Sequence, residues 1–229
     1  MPVKYTLLIF DLDDTLFDYK ATETRAVITA CQALGIRSTD DLYTQYRRAH
    51  QMVRVRYEIL TPQNIASLRK ERAEVFLSLI HSVHVSANDF IEEYLRCSTC
   101  GVIIEGVPET LDRLQGVRKV VATNGTNYPR RDKLYTSAIA KHFDAYFSAE
   151  DVGMPKSDPK FFEAILSRCH VGRNDVLIIG DDYDTDIRSA LLLGIDSCWF
   201  NYRHRKPPFP VPRNVSIITG FLQLTTLLT

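Results

Sequence analysis

The stretch Tyr5-Thr6-Leu7-Leu8-Ile9-Phe10-Asp11-Leu12-Asp13-Asp14-Thr15 decides the fold. Its unbroken apolar run predicts a strand buried on both faces, as inner strands of parallel sheets are. Asp11 stops the run at once, far short of a membrane-spanning length. Acids placed directly after a buried strand are costly unless something pairs with them.

The same grammar returns downstream. Short β-rich runs at Lys119 to Thr123, Val176 to Ile179 and Cys198 to Phe200 are separated by helix-like segments, one opened by Asp158-Pro159 and one closed by Gly194. Apolar strands alternating with helices predict an α/β core, a Rossmann-like doubly wound parallel sheet covered on both faces. Arg203 to Pro212, with four prolines and a basic cluster, predicts a loop before a last strand (Val215 to Ile218) and a C-terminal helix.

From about residue 20 to 96 the period changes. Ala26, Val27, Ala30, Cys31 and Leu34, closed by Gly35, recur at helical spacing, as do Val75, Phe76, Leu79 and Ile80. Thr61-Pro62 predicts an N-cap followed by proline, and Ser86-Ala87-Asn88-Asp89 a capping box. The expected organisation is a core of residues 1–18 and 99–229 carrying an inserted α-helical bundle, residues 19–98.

With 229 residues the chain can bury a full core. Its 28 basic and 28 acidic residues cancel, so no overall field would collect nucleic acid or anionic membrane. Any anionic ligand must then be held by local groups. Five cysteines, at 31, 97, 100, 169 and 198, are an odd number and argue against a disulfide framework. A soluble, cytoplasmic protein without a signal peptide is the expectation.

Ligands of open parallel sheets bind outside the carboxyl ends of the strands. There the sequence places Asp11-x-Asp13, Thr123-Asn124-Gly125 and Gly180-Asp181-Asp182-Tyr183-Asp184-Thr185-Asp186, with Lys156 in a loop before a helix. Several carboxylates gathered at one edge repel one another and call for a cation. Oxygen-only ligands select a hard ion, and Mg2+ is the expected one. A hydroxyl, loop amides and a lysine beside it would complete a cradle for a phosphoryl group.

In order and spacing these segments resemble the four motifs of the haloacid dehalogenase (HAD) superfamily. The first is Asp11-Leu12-Asp13-Asp14-Thr15, the second Thr123-Asn124-Gly125, the third Lys156, and the fourth Gly180-Asp181-Asp182 with Asp186 following. The resemblance implies a phosphomonoesterase in which Asp11 is the nucleophile and forms an aspartyl-phosphate. Asp13 would be the general acid and base, a role worth about 10²–10⁴-fold. Thr123, the Asn124 amide and Lys156 would hold phosphoryl oxygens. Asp11, the backbone carbonyl of Asp13, Asp181 and Asp186 would hold Mg2+. Haloalkanoate dehalogenases of this superfamily lack the second acid, since a halide leaving group needs no proton, so Asp13 favours a phosphatase.

The helical insertion resembles the family's C1 cap, which implies a small soluble phosphate ester, with Phe17, Asp18 and Tyr19 expected near the site mouth. Asp14-Thr15-Leu16-Phe17, Cys198-Trp199-Phe200-Asn201 and His204-Arg205 resemble the pyrimidine 5'-nucleotidase branch, implying a nucleoside 5'-monophosphate. A phosphoglycolate or sugar-phosphate phosphatase, a phosphosugar mutase using the same intermediate, and a non-catalytic binding module are the alternatives. Two further patterns are weighed. His81-x-x-His84 with Cys97-x-x-Cys100 has zinc-ligand types, but a predicted helix separates the pairs, and packing or surface positions are expected. Arg203-His204-Arg205-Lys206 is too short and isolated for nucleic acid and is expected to be a solvated loop, as are Asp182 and Asp184 in their turn.

Overall fold

The computed structural model describes residues 4–37, 39–57, 64–207 and 210–228. It divides into two compact units. The first comprises Met1–Tyr19, Val102–Asn127 and Leu134–Thr229, the second Lys20–Gly101 with Tyr128–Lys133.

The first unit is built on six parallel strands: β1 (Leu7–Phe10), β2 (Arg118–Thr123), β3 (Ala145–Ser148), β4 (Val176–Gly180), β5 (Asp196–Phe200) and β6 (Val215–Ile218). Their spatial order is β3-β2-β1-β4-β5-β6. The chain therefore winds outward from β1 in one direction, then restarts beside β1 at β4 and winds outward in the other. Phe10 pairs with both Val121 and Ile179, so the carboxyl ends of β1, β2 and β4 finish level with one another at this reversal.

Alternation along each strand sends side chains to two cores, the reason the strand sequences are apolar throughout. Leu8, Phe10, Val121, Leu177 and Ile179 face one layer, where Leu111 and Leu224 pack. Leu7, Ile9, Val120, Val176 and Ile178 face the other, with Phe161, Phe162, Ile165 and Ala190. Each buried side chain of this kind contributes about 1.5–3 kcal/mol. β3, which the sequence reading does not include, is an edge strand; Tyr146 and Ser148 are buried while Ala145 and Phe147 are half-buried. Phe17 is wholly buried in the first of these cores, contrary to the expectation that it lies at a site mouth.

In the second unit, helices α1 (Tyr19–Ala33), α2 (Leu42–Arg54), α3 (Ile65–Leu79) and α4 (Ala87–Ser98) bury one apolar cluster. Its centre is aromatic: Phe76 lies 5.5 Å from Tyr46 and 5.0 Å from Phe90, ring centre to ring centre. The Arg72 guanidinium stacks 4.6 Å above Tyr46, which lets a buried cation meet a π-face. Ser86 caps α4 by accepting from the Asp89 amide at 3.1 Å. The Thr61-Pro62 cap lies outside the described residues. Cys97 packs in this core and His81 ends α3 with a left-handed backbone. No described helix is long and apolar enough to cross a membrane.

Gly180, the last residue of β4, is under a close-approach constraint. A Cβ there would lie 2.2 Å from Asp186 Oδ2 and 2.4 Å from its Cγ. Gly180→Ala should therefore push the buried Asp186 side chain aside and destabilise the protein by about 1–3 kcal/mol. Urea unfolding checks this: a lowered midpoint is expected, and an unchanged one would show that Asp186 is free to move.

Candidate active site

Each strand end at the reversal contributes a piece. Asp11 follows β1 and is buried, accepting the geometry of the sheet through its amide, which donates to Ile179 O at 2.8 Å. Asp13 stands in the turn beyond, where it bridges to Phe17. Thr123 closes β2, is buried, and accepts from the Gly125 amide at 3.3 Å. Asp181 follows β4. Asp186 lies in a short π-helical turn, Tyr183–Ile187, that leads from it.

Lys156 reaches into this group from the loop that follows α7, with α5 at Val107–Arg113, α6 at Asn127–Tyr135 and α7 at Ala149–Val152. The loop ends at α8 (Lys160–Cys169), and later come α9 (Arg188–Leu192) and α10 (Gln223–Leu228). Lys156 is 2% exposed, and its Nζ lies 2.5 Å from Asp11 Oδ1 and 2.5 Å from Asp186 Oδ1. A third contact, to Ala122 O, measures 3.4 Å.

The backbone of Lys156 is held as firmly as its side chain. Its amide donates to Asn124 Oδ1 at 2.7 Å, and its carbonyl accepts from Ser189 Oγ at 2.8 Å. The sequence alone suggests a main-chain role for Asn124 and does not single out Ser189. A serine inside a helical run carries no signal of its own.

The charge balance is uneven. Asp11, Asp181 and Asp186 offer carboxylate oxygens within 4.8 Å of one another, against one buried lysine. Burial and the neighbouring acids push all three pKa values up, and Lys156 only partly opposes this at Asp11 and Asp186. Asp181 is raised to about 8 by burial, then by Asp11, Asp14 and Asp186. Burial disfavours the charge on Lys156, but the two carboxylates outweigh it and hold its pKa above the ordinary lysine value.

Asp13 and Asp182 stay outside the three-acid group among the described residues. Asp182 spends its Oδ1 on the amides of Asp184 and Thr185, both at 3.0 Å, and so caps the turn that carries Asp186. The histidines and cysteines weighed for zinc form no such group among the described residues.

The basic loop after β5, Arg203 to Lys206, is exposed as expected, and two of its arginines also meet acids. Arg203 Nη2 donates to Asp14 Oδ2 at 2.6 Å, and Tyr202 Oη donates to Asp14 Oδ1 at 3.0 Å. Arg205 Nη2 stands 3.7 Å from Asp181 Oδ2. The acids after β1 and β4 draw these arginines in, which a reading of the loop alone could not show.

Comparison with known proteins gives the family. Residues 5–194 match the family of haloacid dehalogenase-like hydrolases. YfnB of Bacillus subtilis (strain 168), a candidate HAD-hydrolase, is 27% identical over 208 residues, spanning 86% of this chain and 85% of its own length. A crystal structure of YfnB bound to magnesium superposes with a TM-score of 0.79, covering 98% of this chain and 99% of that one. The pyrimidine 5'-nucleotidase YjjG of Escherichia coli (strain K12) is 25% identical over 215 residues, 90% of each chain. Another pyrimidine 5'-nucleotidase, PynA of Streptococcus pneumoniae, is 25% identical over 218 residues, 87% of this chain and 85% of its own. The match spans most of the sheet and every strand end that carries an acid, and the chain belongs to the haloacid dehalogenase-like hydrolases.

Proposed function

We propose that this hydrolase is a magnesium-dependent phosphomonoesterase that works through an aspartyl-phosphate on Asp11, with a pyrimidine nucleoside 5'-monophosphate as substrate. The observation that carries the reading is the buried Lys156 ammonium set between Asp11 and Asp186, with Asp181 alongside, at the reversal of the sheet. The helical insertion of residues 19–98 is read as the substrate-selecting cap.

The donor set fits Mg2+. All three acids offer oxygen, a hard ligand, and one lysine leaves their charge only partly offset. Asp11, Asp181 and Asp186, with the backbone carbonyl of Asp13, would hold the ion. When bound, Mg2+ supplies positive charge opposite the phosphoryl oxygens.

The chain's own residues divide the remaining work. An Asp11 carboxylate oxygen attacks phosphorus, and the bond from phosphorus to the leaving oxygen breaks. Asp13 gives its proton to that oxygen. Water then attacks phosphorus in the aspartyl-phosphate, Asp13 takes the water's proton, and Asp11 is released with inorganic phosphate. Lys156 orients Asp11 and, with the Thr123 hydroxyl and the Asn124 amide, binds phosphoryl oxygens. The nucleotide assignment draws on YjjG and PynA, both named pyrimidine 5'-nucleotidases, over most of the chain's length.

Three outcomes follow. Asp11→Asn should lower Mg2+-dependent phosphate release by about 10³-fold or more without loss of helical circular dichroism, and near-normal turnover would contradict the mechanism. In a phosphate-release panel, pyrimidine nucleoside monophosphates should exceed sugar phosphates and phosphoglycolate in kcat/KM by about tenfold or more. A sugar phosphate at the top of that panel would overturn the nucleotide assignment, and isomer in place of free phosphate would indicate a mutase.

The third concerns Asp181. Its pKa of about 8 in the folded protein exceeds the carboxylate value of the unfolded chain, so the folded state prefers the neutral acid. The resulting penalty is absent in strong acid, grows as pH rises and levels off above about 8. With metal chelated, at alkaline pH, Asp181→Asn should therefore be more stable than the parent by about 1–3 kcal/mol. Excess Mg2+ should raise the melting temperature of the parent and leave the variant unmoved. A less stable Asp181→Asn protein would contradict the charge balance described.

A further inference from the structure

Asn201, just past β5, closes a small ring on the chain ahead of it. Its Oδ1 accepts from the Arg205 amide at 2.8 Å and its Nδ2 donates to the Arg205 carbonyl at 2.8 Å. His204 takes a left-handed conformation, φ 51°, to complete the turn. A few residues back, Arg203 and Tyr202 fasten the same loop to Asp14. The backbone of Arg205 is thus fixed from two sides.

Its side chain is spent differently. The side chain is 44% exposed, and its guanidinium stands 3.7 Å from Asp181 Oδ2, an ion-pair distance longer than a hydrogen bond. Asp181 belongs to the three-acid group, in which the buried lysine pairs with Asp11 and Asp186. A fixed cation at the edge of that group offsets its charge, and the same cation repels any other that enters.

We propose that Arg205 sets the cation affinity of the acid group: the loop after β5 delivers its guanidinium beside Asp181 as a competing positive charge that a divalent ion must displace. The inference rests on the metal-dependent reading above and adds a regulator of that site outside the acids themselves. The partly exposed guanidinium has room to swing away when the ion enters. Fixing the loop through Asn201 and Asp14 keeps it returning to the same place.

The test is isothermal titration calorimetry with Mg2+ alone, no substrate present, at alkaline pH. Arg205→Gln, which removes the charge and keeps a polar side chain, should bind Mg2+ about 5–20-fold more tightly than the parent. Arg205→Lys, which keeps a charge, should bind more weakly than Arg205→Gln. Damage to the site weakens binding, so tighter binding is not the signature of a merely structural residue. Asn201→Ala, which frees the loop, should tighten binding in the same direction. Equal or weaker affinity in Arg205→Gln overturns the proposal. A parent protein that takes no Mg2+ overturns the metal reading as well, which separates the two failures.

Discussion

A buried lysine between two buried aspartates is the constraint around which the site is arranged. Lys156 lies 2.5 Å from both Asp11 and Asp186, with almost no exposure to water. Removing one partner of such a group leaves an uncompensated buried charge, at a cost of about 3–5 kcal/mol. The fold meets this by fixing every member. The reversal of strand order brings Asp11 and Asp181 side by side, Asn124 and Ser189 bond the two backbone groups of Lys156, and Gly180 clears the space that Asp186 fills. Even so, three acids outnumber one lysine, and the surplus negative charge is what suits the group to a cation and to the phosphoryl chemistry proposed.

Much of this was legible in the sequence because strands buried on both faces have few alternatives. Leu7 to Phe10 and Val176 to Ile179 are apolar without interruption, and acids directly after them had to be functional or heavily paired. The order of acid, hydroxyl, lysine and acid then carried the family resemblance. β3 escaped because an edge strand with half-buried Ala145 and Phe147 lacks the continuous apolar run that marks an inner strand. Phe17 was expected near a mouth on its position in the chain alone; its apolar ring instead goes to the core.

The parts that were illegible depend on partners distant in sequence. Asn124 reaches across to Lys156 and Ser189 reaches back to it, over separations of 32 and 33 residues. Asp14 meets Tyr202 and Arg203 nearly the whole chain away. Polar side chains in loops show no partner until the sheet topology shows which loops are neighbours. The basic loop after β5 is the clearest case, since only the adjacency of β4 and β5 brings Arg205 to Asp181. Supporting groups of this kind hold reacting residues in place, and their loss is felt in the chemistry even where they touch no substrate.

In the proposed mechanism Asp11 carries the phosphoryl group between substrate and water. A rapid acid quench during turnover of a nucleotide radiolabelled in its phosphate, followed by peptide mapping, tests it most directly. Transient label, acid-trapped on the peptide that contains Asp11, is the expected result. Label on any other side chain, or full turnover with no protein-bound label at any quench time, would contradict it.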